Sequence, residues 1–127
     1  MPVQLDHLIL AVNDIGRSVT FYGDILGFSH DGETPPFAVL RVNDGFTLQL
    51  APWGTKGGEH LAFAMTREEF DATFGRIRAS EIPFGGTFSG VGSMQGPGVE
   101  VGARGPADTL YFFDPDRHLI EIRHYGD

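Results

Sequence analysis

The sequence has no cysteine among its 127 residues, which excludes disulfides, a thiolate nucleophile and cysteine-bound zinc. It also has little positive charge: 9 lysines and arginines are scattered among 17 acids, and the formal net charge is −8 at pH 7. Nucleic-acid binding depends on clustered lysine and arginine. We therefore expect no nucleic-acid partner, and the composition favours a small-molecule substrate or ligand instead.

Long apolar runs are missing as well. No segment approaches the roughly 18 consecutive apolar residues of a membrane-spanning helix, and the first residues, MPVQLDHLIL, lack the pattern of a signal sequence. These absences predict a cytoplasmic protein with no membrane partner. With 41% hydrophobic and 20% charged residues, the chain can bury a core as one domain over residues 1–127.

Two segments of the chain resemble each other. The segments that begin at Asp6-His7 and at Glu59-His60 align without a gap at an offset of 53 residues, with identical histidine, leucine, alanine, threonine and phenylalanine positions. In each copy a strand with alternating residues precedes a helical pattern. An internal repeat of this kind predicts two equivalent structural modules.

Both predicted helices carry capping signals. Thr66 followed by Glu69 matches the capping box, in which a threonine hydroxyl and an acid three residues later satisfy free backbone N–H groups. In the first copy Asn13 or Asp14 can cap the helix, and Gly27 can end it in the left-handed conformation. The helices are therefore expected to begin and end at these residues.

Strand patterns follow each helix. In the first copy, residues 37–42 and 46–52 flank an Asn-Asp-Gly turn; in the second, a short run near residue 83 precedes two strands joined at Asp114-Pro115-Asp116. The predicted fold class is α+β, with two tandem βαβββ modules forming a cup-shaped mixed sheet and the helices on its outer face. Module 1 spans about residues 4–53 and module 2 about residues 57–125.

A glycine-rich segment extends from Gly85 to Gly105. It contains no phosphate-binding glycine motif at the required spacing. We interpret it as a loop, either a mobile loop beside a site or an irregular solvent-exposed connection.

Alternation along the strands places polar side chains on the face opposite the helices. His7 and Gln49 share this face in the first module and His60 and Glu121 in the second, with Arg123 next to Glu121. A carboxylate within a β-branched strand is costly to bury alone, so Glu121 must be solvated, paired or bound to a metal.

Two imidazoles and one carboxylate suit a divalent first-row metal, one Fe, Mn, Ni, Co or Zn ion per site. The ion would also supply the missing partner of the carboxylate. Each residue has a simpler interpretation, because single strand histidines and glutamates are usually hydrogen-bonded or solvent-facing. The repeat is what favours a shared site.

Three segments resemble the landmark segments of the vicinal oxygen chelate superfamily: LDHLILAVNDIGRSVTFYGDILGF, HLAFAM and YFFDPDRHLIEI. This superfamily includes glyoxalase I, fosfomycin-resistance proteins, extradiol dioxygenases and bleomycin-resistance proteins. The resemblance covers essentially the whole chain in order. It implies paired βαβββ modules, a metal in the cup and a homodimer, and it leaves open whether the modules of one chain or of two chains form each cup.

The resemblance also assigns site residues. The metal-ligand positions of the superfamily correspond to His7, His60 and Glu121, and Gln49 stands where glyoxalase I commonly has a glutamate, as an additional ligand or pocket residue. A neutral amide cannot accept a proton, which disfavours glyoxalase I chemistry proper. Tyr111 occupies a position where fosfomycin-resistance proteins and extradiol dioxygenases have a tyrosine. Tyr111 and Glu121 are therefore the predicted catalytic residues.

Three functional classes remain open at this stage. The favoured one is a metal-dependent enzyme acting on a small oxygen-chelating substrate, by dioxygenase, lyase or isomerase chemistry. The alternative is a metal-free, ligand-sequestering resistance protein of the bleomycin-binding type, against which the complete ligand set counts. The third is a scaffold with a vestigial site. Ile9, where fosfomycin-resistance proteins have a threonine, weakens a drug-inactivating function.

Overall fold

A computed structural model describes residues 3–126. Within them the chain forms two helices and nine strands, in the order β1 (His7–Ala11), α1 (Ile15–Leu26), β2 (Ser29–Thr34), β3 (Phe37–Asn43), β4 (Phe46–Ala51), β5 (His60–Ala64), α2 (Arg67–Ala79), β6 (Phe84–Gly85), β7 (Gly98–Gly102), β8 (Gly105–Phe113) and β9 (Leu119–His124). The chain divides into two compact units, the first ending at Lys56 and the second beginning at Gly57.

The first unit is a four-stranded mixed sheet in the order β1-β4-β3-β2. Strand β1 runs parallel to β4, and the other neighbours are antiparallel. Helix α1 covers one face, where its Tyr22 and the strand residues Leu10, Leu40, Leu48 and Leu50 are buried. Each such side chain contributes roughly 1.5–3 kcal/mol through removal from water.

The second unit is a five-stranded sheet in the order β5-β9-β8-β6, with β7 paired to β8. Strand β5 runs parallel to β9, and β8 is antiparallel to β9. Helix α2 packs on one face of β9, where the rings of Phe70 and His124 meet edge to face with centroids 4.8 Å apart. Ile120 and Ile122 of the same face of β9 are fully buried.

The predicted helix ends are confirmed. The Asp14 side chain accepts the backbone N–H of Arg17 and begins α1, and Gly27 ends α1 with φ at 78°. Thr66 begins α2, and its hydroxyl accepts the N–H of Glu69 at 3.1 Å. Local side-chain chemistry therefore sets these boundaries.

The predicted α+β class with tandem βαβββ modules is confirmed, but the structure differs from the expectation in the glycine-rich segment. This segment is partly strand, because β7 forms a hairpin with β8. Its glycines allow close backbone packing: a Cβ atom at Gly85 would collide with the carbonyl of Gly90, and one at Gly98 with that of Gly86. Neither helix within residues 3–126 is long and apolar enough to cross a membrane.

The cap of α2 is testable by substitution. We expect Thr66→Ala to lower the free energy of unfolding by about 1 kcal/mol, because the N–H of Glu69 loses its acceptor. Urea titration followed by circular dichroism measures this change. The control Thr66→Ser keeps the hydroxyl and should stay close to wild type; an equal loss in both variants would contradict a capping role.

Candidate functional site

Neighbouring strands bring three of the predicted site residues together in the second unit. Glu121 in β9 lies beside Ala62 of β5 and directly opposite Tyr111 of β8. His60 precedes Ala62 by two residues, so strand alternation gives His60 and Ala62 the same face. The other face of β9 packs against α2. The site therefore lies on the face of the sheet that the helix does not cover.

The Glu121 carboxylate is buried, with its side chain 4% exposed, and its partners come from the protein. Its Oε1 atom is 3.0 Å from Nε2 of His60. Its Oε2 atom accepts a short charged hydrogen bond from Nη1 of Arg123. Tyr111 also forms a side-chain hydrogen bond with Glu121. The sequence required Glu121 to be solvated, paired or bound to a metal. The structure shows the carboxylate paired with His60 and Arg123.

The phenol of Tyr111 is shifted toward its protonated form. Burial raises its pKa above the ordinary tyrosine value, and the hydrogen bond and the negative charge of Glu121 raise it further. A neutral phenol can donate a hydrogen bond near neutral pH. Tyr111 is therefore a donor in this site.

Arg123 is the residue of the site to which the sequence analysis gave no role, although strand alternation placed it beside Glu121. Its Nε donates to the hydroxyl of Tyr125 at 3.1 Å, and its Nη2 donates to the carbonyls of Glu100 at 3.2 Å and Gly105 at 3.1 Å. Burial lowers the pKa of Arg123, but the hydrogen bonds to Glu121 and Tyr125 outweigh burial, and the net pKa is raised. The guanidinium is held charged.

Phe88 is a second residue that the sequence analysis missed, because no periodic pattern marks it within the glycine-rich segment. Its ring centroid lies 5.3 Å from that of His60 and 6.0 Å from that of Tyr111. Its backbone N–H donates to Oε1 of Glu100 at 2.6 Å. The glycine-rich segment thus places an aromatic ring against the histidine of the site.

His7 and Gln49, the other predicted site residues, lie in the first unit. The register pairs Ile9 of β1 with Gln49 of β4, and alternation gives His7 the same face of the sheet. Nδ1 of His7 is 2.8 Å from Oδ2 of Asp6. A carboxylate at Nδ1 favours the tautomer whose lone pair is on Nε2, a form that can bind a metal.

His60 and Glu121 supply two donor groups of the types that bind a divalent ion. Two ligand atoms each about 2.1 Å from an ion, at roughly a right angle, are about 3.0 Å apart. This separation matches the 3.0 Å between Nε2 of His60 and Oε1 of Glu121. An imidazole nitrogen and a carboxylate oxygen are also the donor types that suit first-row metals. Within residues 3–126, no group of three or more His, Cys, Asp or Glu side chains is arranged to hold a metal.

A cavity of about 310 Å³ lies next to this pair in the second unit. Glu121 and Arg123 line it on one side, and the small residues Ala62, Ala64 and Gly102 leave the space open. Its size is at the lower end of the range of about 300–1,000 Å³ for small-molecule sites. Of the His60–Glu121 pair, Glu121 lines this cavity; His60 and Tyr111 do not.

Comparison with known proteins identifies the family. A sequence profile of the Glyoxalase/Bleomycin resistance protein/Dioxygenase superfamily matches residues 4–122. The chain belongs to this superfamily. The resemblance to the vicinal oxygen chelate superfamily that the sequence motifs predicted is therefore confirmed.

Similar proteins and solved structures match nearly the whole chain. It is 28% identical to Virulence protein STM3117 of Salmonella typhimurium, across 96% of this chain and 84% of that protein. It is 27% identical to Glutathione transferase FosA of Serratia marcescens, across 96% of this chain and 80% of that protein. Among solved structures, Oxidase ChaP-H2 superimposes with a TM-score of 0.80 at 30% identity, covering 98% of this chain and 94% of that one.

The environment of Tyr111 predicts its titration. Because burial and the Glu121 carboxylate disfavour the phenolate, Tyr111 should ionise above the ordinary value of about 10. Its contribution to folding stability is then complete below about pH 10 and is lost as the pH rises through the raised pKa. The tyrosinate absorbance of wild type minus Tyr111→Phe measures this ionisation.

The variant Glu121→Gln serves as the comparison, because it removes the nearby negative charge and should lower the pKa of Tyr111 toward the ordinary value. A difference spectrum that titrates near pH 10 in the wild type would contradict the described environment.

Proposed function

We propose that this chain is a metal-dependent enzyme that acts on a small molecule with two neighbouring oxygens. His60 and Glu121 are proposed as metal ligands with His7 as the third, and Gln49 as an additional ligand or pocket residue. The observation that carries the proposal is the 3.0 Å separation of Nε2 of His60 and Oε1 of Glu121, with Tyr111 beside them. Membership of the superfamily supports it.

A divalent ion bound to these donors would act as a Lewis acid that stabilises negative charge on a chelated substrate oxygen. The protein residues have separate roles. Tyr111, whose pKa is raised, stays protonated and donates a hydrogen bond toward the substrate oxygens or to Glu121. The Phe88 ring packs edge to face against the His60 ring and supports its orientation. The cavity beside Glu121 is proposed as the place where the substrate binds.

Two observations bear on the type of reaction. Gln49 cannot accept a proton, so Glu121 is the one carboxylate at the four assigned positions and a two-base isomerisation is disfavoured. The likeness to Oxidase ChaP-H2 at 30% identity favours oxidative chemistry. We therefore propose oxidative chemistry, of which dioxygenase chemistry is one form, ahead of lyase or isomerase chemistry, in a homodimeric protein.

A second candidate function rests on Arg123. Because Arg123 and His60 already pair with the buried carboxylate, Glu121 is compatible with the fold without a metal. Pairing of Glu121 by the protein alone supports the alternative function, a metal-free protein that sequesters a small ligand. Metal content separates the two functions.

Elemental analysis of protein purified without an affinity tag tests the proposal. We expect about one Fe, Mn, Ni, Co or Zn ion per chain, because His7, His60 and Glu121 would supply the three protein ligands of a catalytic metal site. The metal should be lost in Glu121→Gln and in His60→Ala. The second variant changes a partly exposed ring and should fold even if the first does not.

The matched control is His30→Ala. His30 forms an equivalent pair with Glu33, at 2.9 Å, but both side chains are exposed and lie outside the site. This variant should keep its metal. Absence of metal from the wild type, even after reconstitution, would overturn the enzyme proposal in favour of ligand sequestration.

A further inference from the structure

Arg123 has no ligand or substrate role in the proposed function, yet it is buried and held by four partners. These are the Glu121 carboxylate, the Tyr125 hydroxyl and the carbonyls of Glu100 and Gly105. A guanidinium is rigid and planar, so contacts through Nε and both terminal nitrogens fix its orientation as well as its position.

The β7–β8 hairpin makes room for this guanidinium. A Cβ atom at Gly102 would lie 2.8 Å from Cζ of Arg123, closer than side-chain atoms approach. The absence of a side chain at Gly102 thus lets the hairpin close over the guanidinium, and the two hairpin carbonyls that flank this glycine in sequence accept its hydrogen bonds. The arrangement depends on the fold of the hairpin rather than on chance surface pairing.

We propose that Arg123 is a positioning residue that fixes Glu121 through Oε2, so that Oε1 alone is presented beside His60 as a one-oxygen metal ligand. The inference rests on the proposed metal site. A carboxylate with both oxygens free can rotate or bind an ion through both; one whose second oxygen is held by a rigid guanidinium cannot. Groups that orient metal ligands in this way contribute strongly to metal affinity.

The chain offers a control in the same cavity. Arg104 also lines it, and both arginines lie over the ring of Tyr125, Arg104 at 4.5 Å and Arg123 at 5.4 Å from the centroid. Arg123 bonds to Glu121; Arg104 is exposed and contacts the ring from the hairpin turn. Arg104→Met therefore removes a positive charge and a ring contact near the site while leaving the Arg123–Glu121 pair in place.

The first measurement uses metal-free protein. Crystal structures of wild type, Arg123→Met and Arg104→Met should show Glu121 in a single orientation in the wild type and in Arg104→Met, and displaced or in several orientations in Arg123→Met. If Arg123→Met does not fold, Gly102→Ala replaces it in this test, because the added methyl group should displace the guanidinium without removing it. A Glu121 side chain unmoved in Arg123→Met, or in Gly102→Ala with the guanidinium displaced, overturns the proposal.

The second measurement is titration with Co²⁺, whose visible spectrum reports the coordination number. Arg123→Met should bind Co²⁺ about 10- to 100-fold more weakly than wild type, with a changed spectrum, and Arg104→Met should match wild type. Arg123→Lys keeps the positive charge but lacks the planar set of N–H donors of a guanidinium. It should therefore bind Co²⁺ nearly as weakly as Arg123→Met. Full rescue by lysine, or tighter binding by Arg123→Met, overturns the positioning role.

The two proposals fail in different ways. If the wild type binds no metal, the proposed function fails, while the metal-free structures still decide whether Arg123 fixes Glu121. If the wild type binds Co²⁺ and Arg123→Met binds it equally well with the same spectrum, the metal site stands and the positioning role is wrong.

Discussion

Burial of the Glu121 carboxylate needs a positive partner, and Arg123 supplies it from two residues further along the same strand. An unpaired charge at this depth would cost several kcal/mol. Strand alternation puts both groups on the uncovered face of the second sheet, and Tyr111 faces them from the adjacent strand. The same ion pair lines the cavity, and the other carboxylate oxygen contacts His60.

The proposed metal-dependent function and the metal-free alternative are both compatible with this ion pair. A carboxylate stabilised by the protein alone does not depend on an ion, and the oxygen that faces His60 is the one that we propose as a metal ligand. The superfamily to which the chain belongs is named for glyoxalases, resistance proteins and dioxygenases. The fold alone is shared by all of these classes, so the proposed reaction type depends on the residues at the proposed site, above all Gln49, Tyr111 and Glu121.

Much of the fold could be predicted because its signals are local. Helix ends are set within one turn, by the capping residues Thr66 and Asp14 and by Gly27 in the left-handed conformation. Glu121 and Arg123 share a face because side chains along a β-strand alternate with a period of two residues. Strand β7 was missed because its glycines suggested a loop, whereas close backbone packing explains them. Phe88 was missed because its place beside His60 depends on contacts distant in sequence.

Gly102 carries a consequence for how this protein can change over evolutionary time. Its missing side chain accommodates the guanidinium of Arg123, so the two positions share one volume. A descendant with a larger residue at 102 would have to move the guanidinium or carry a shorter residue at 123, and one that lost the arginine would leave space for a side chain at 102. In an alignment of close homologues, these two columns should therefore vary as a pair, although Gly102 and Arg123 lie 21 positions apart in the sequence.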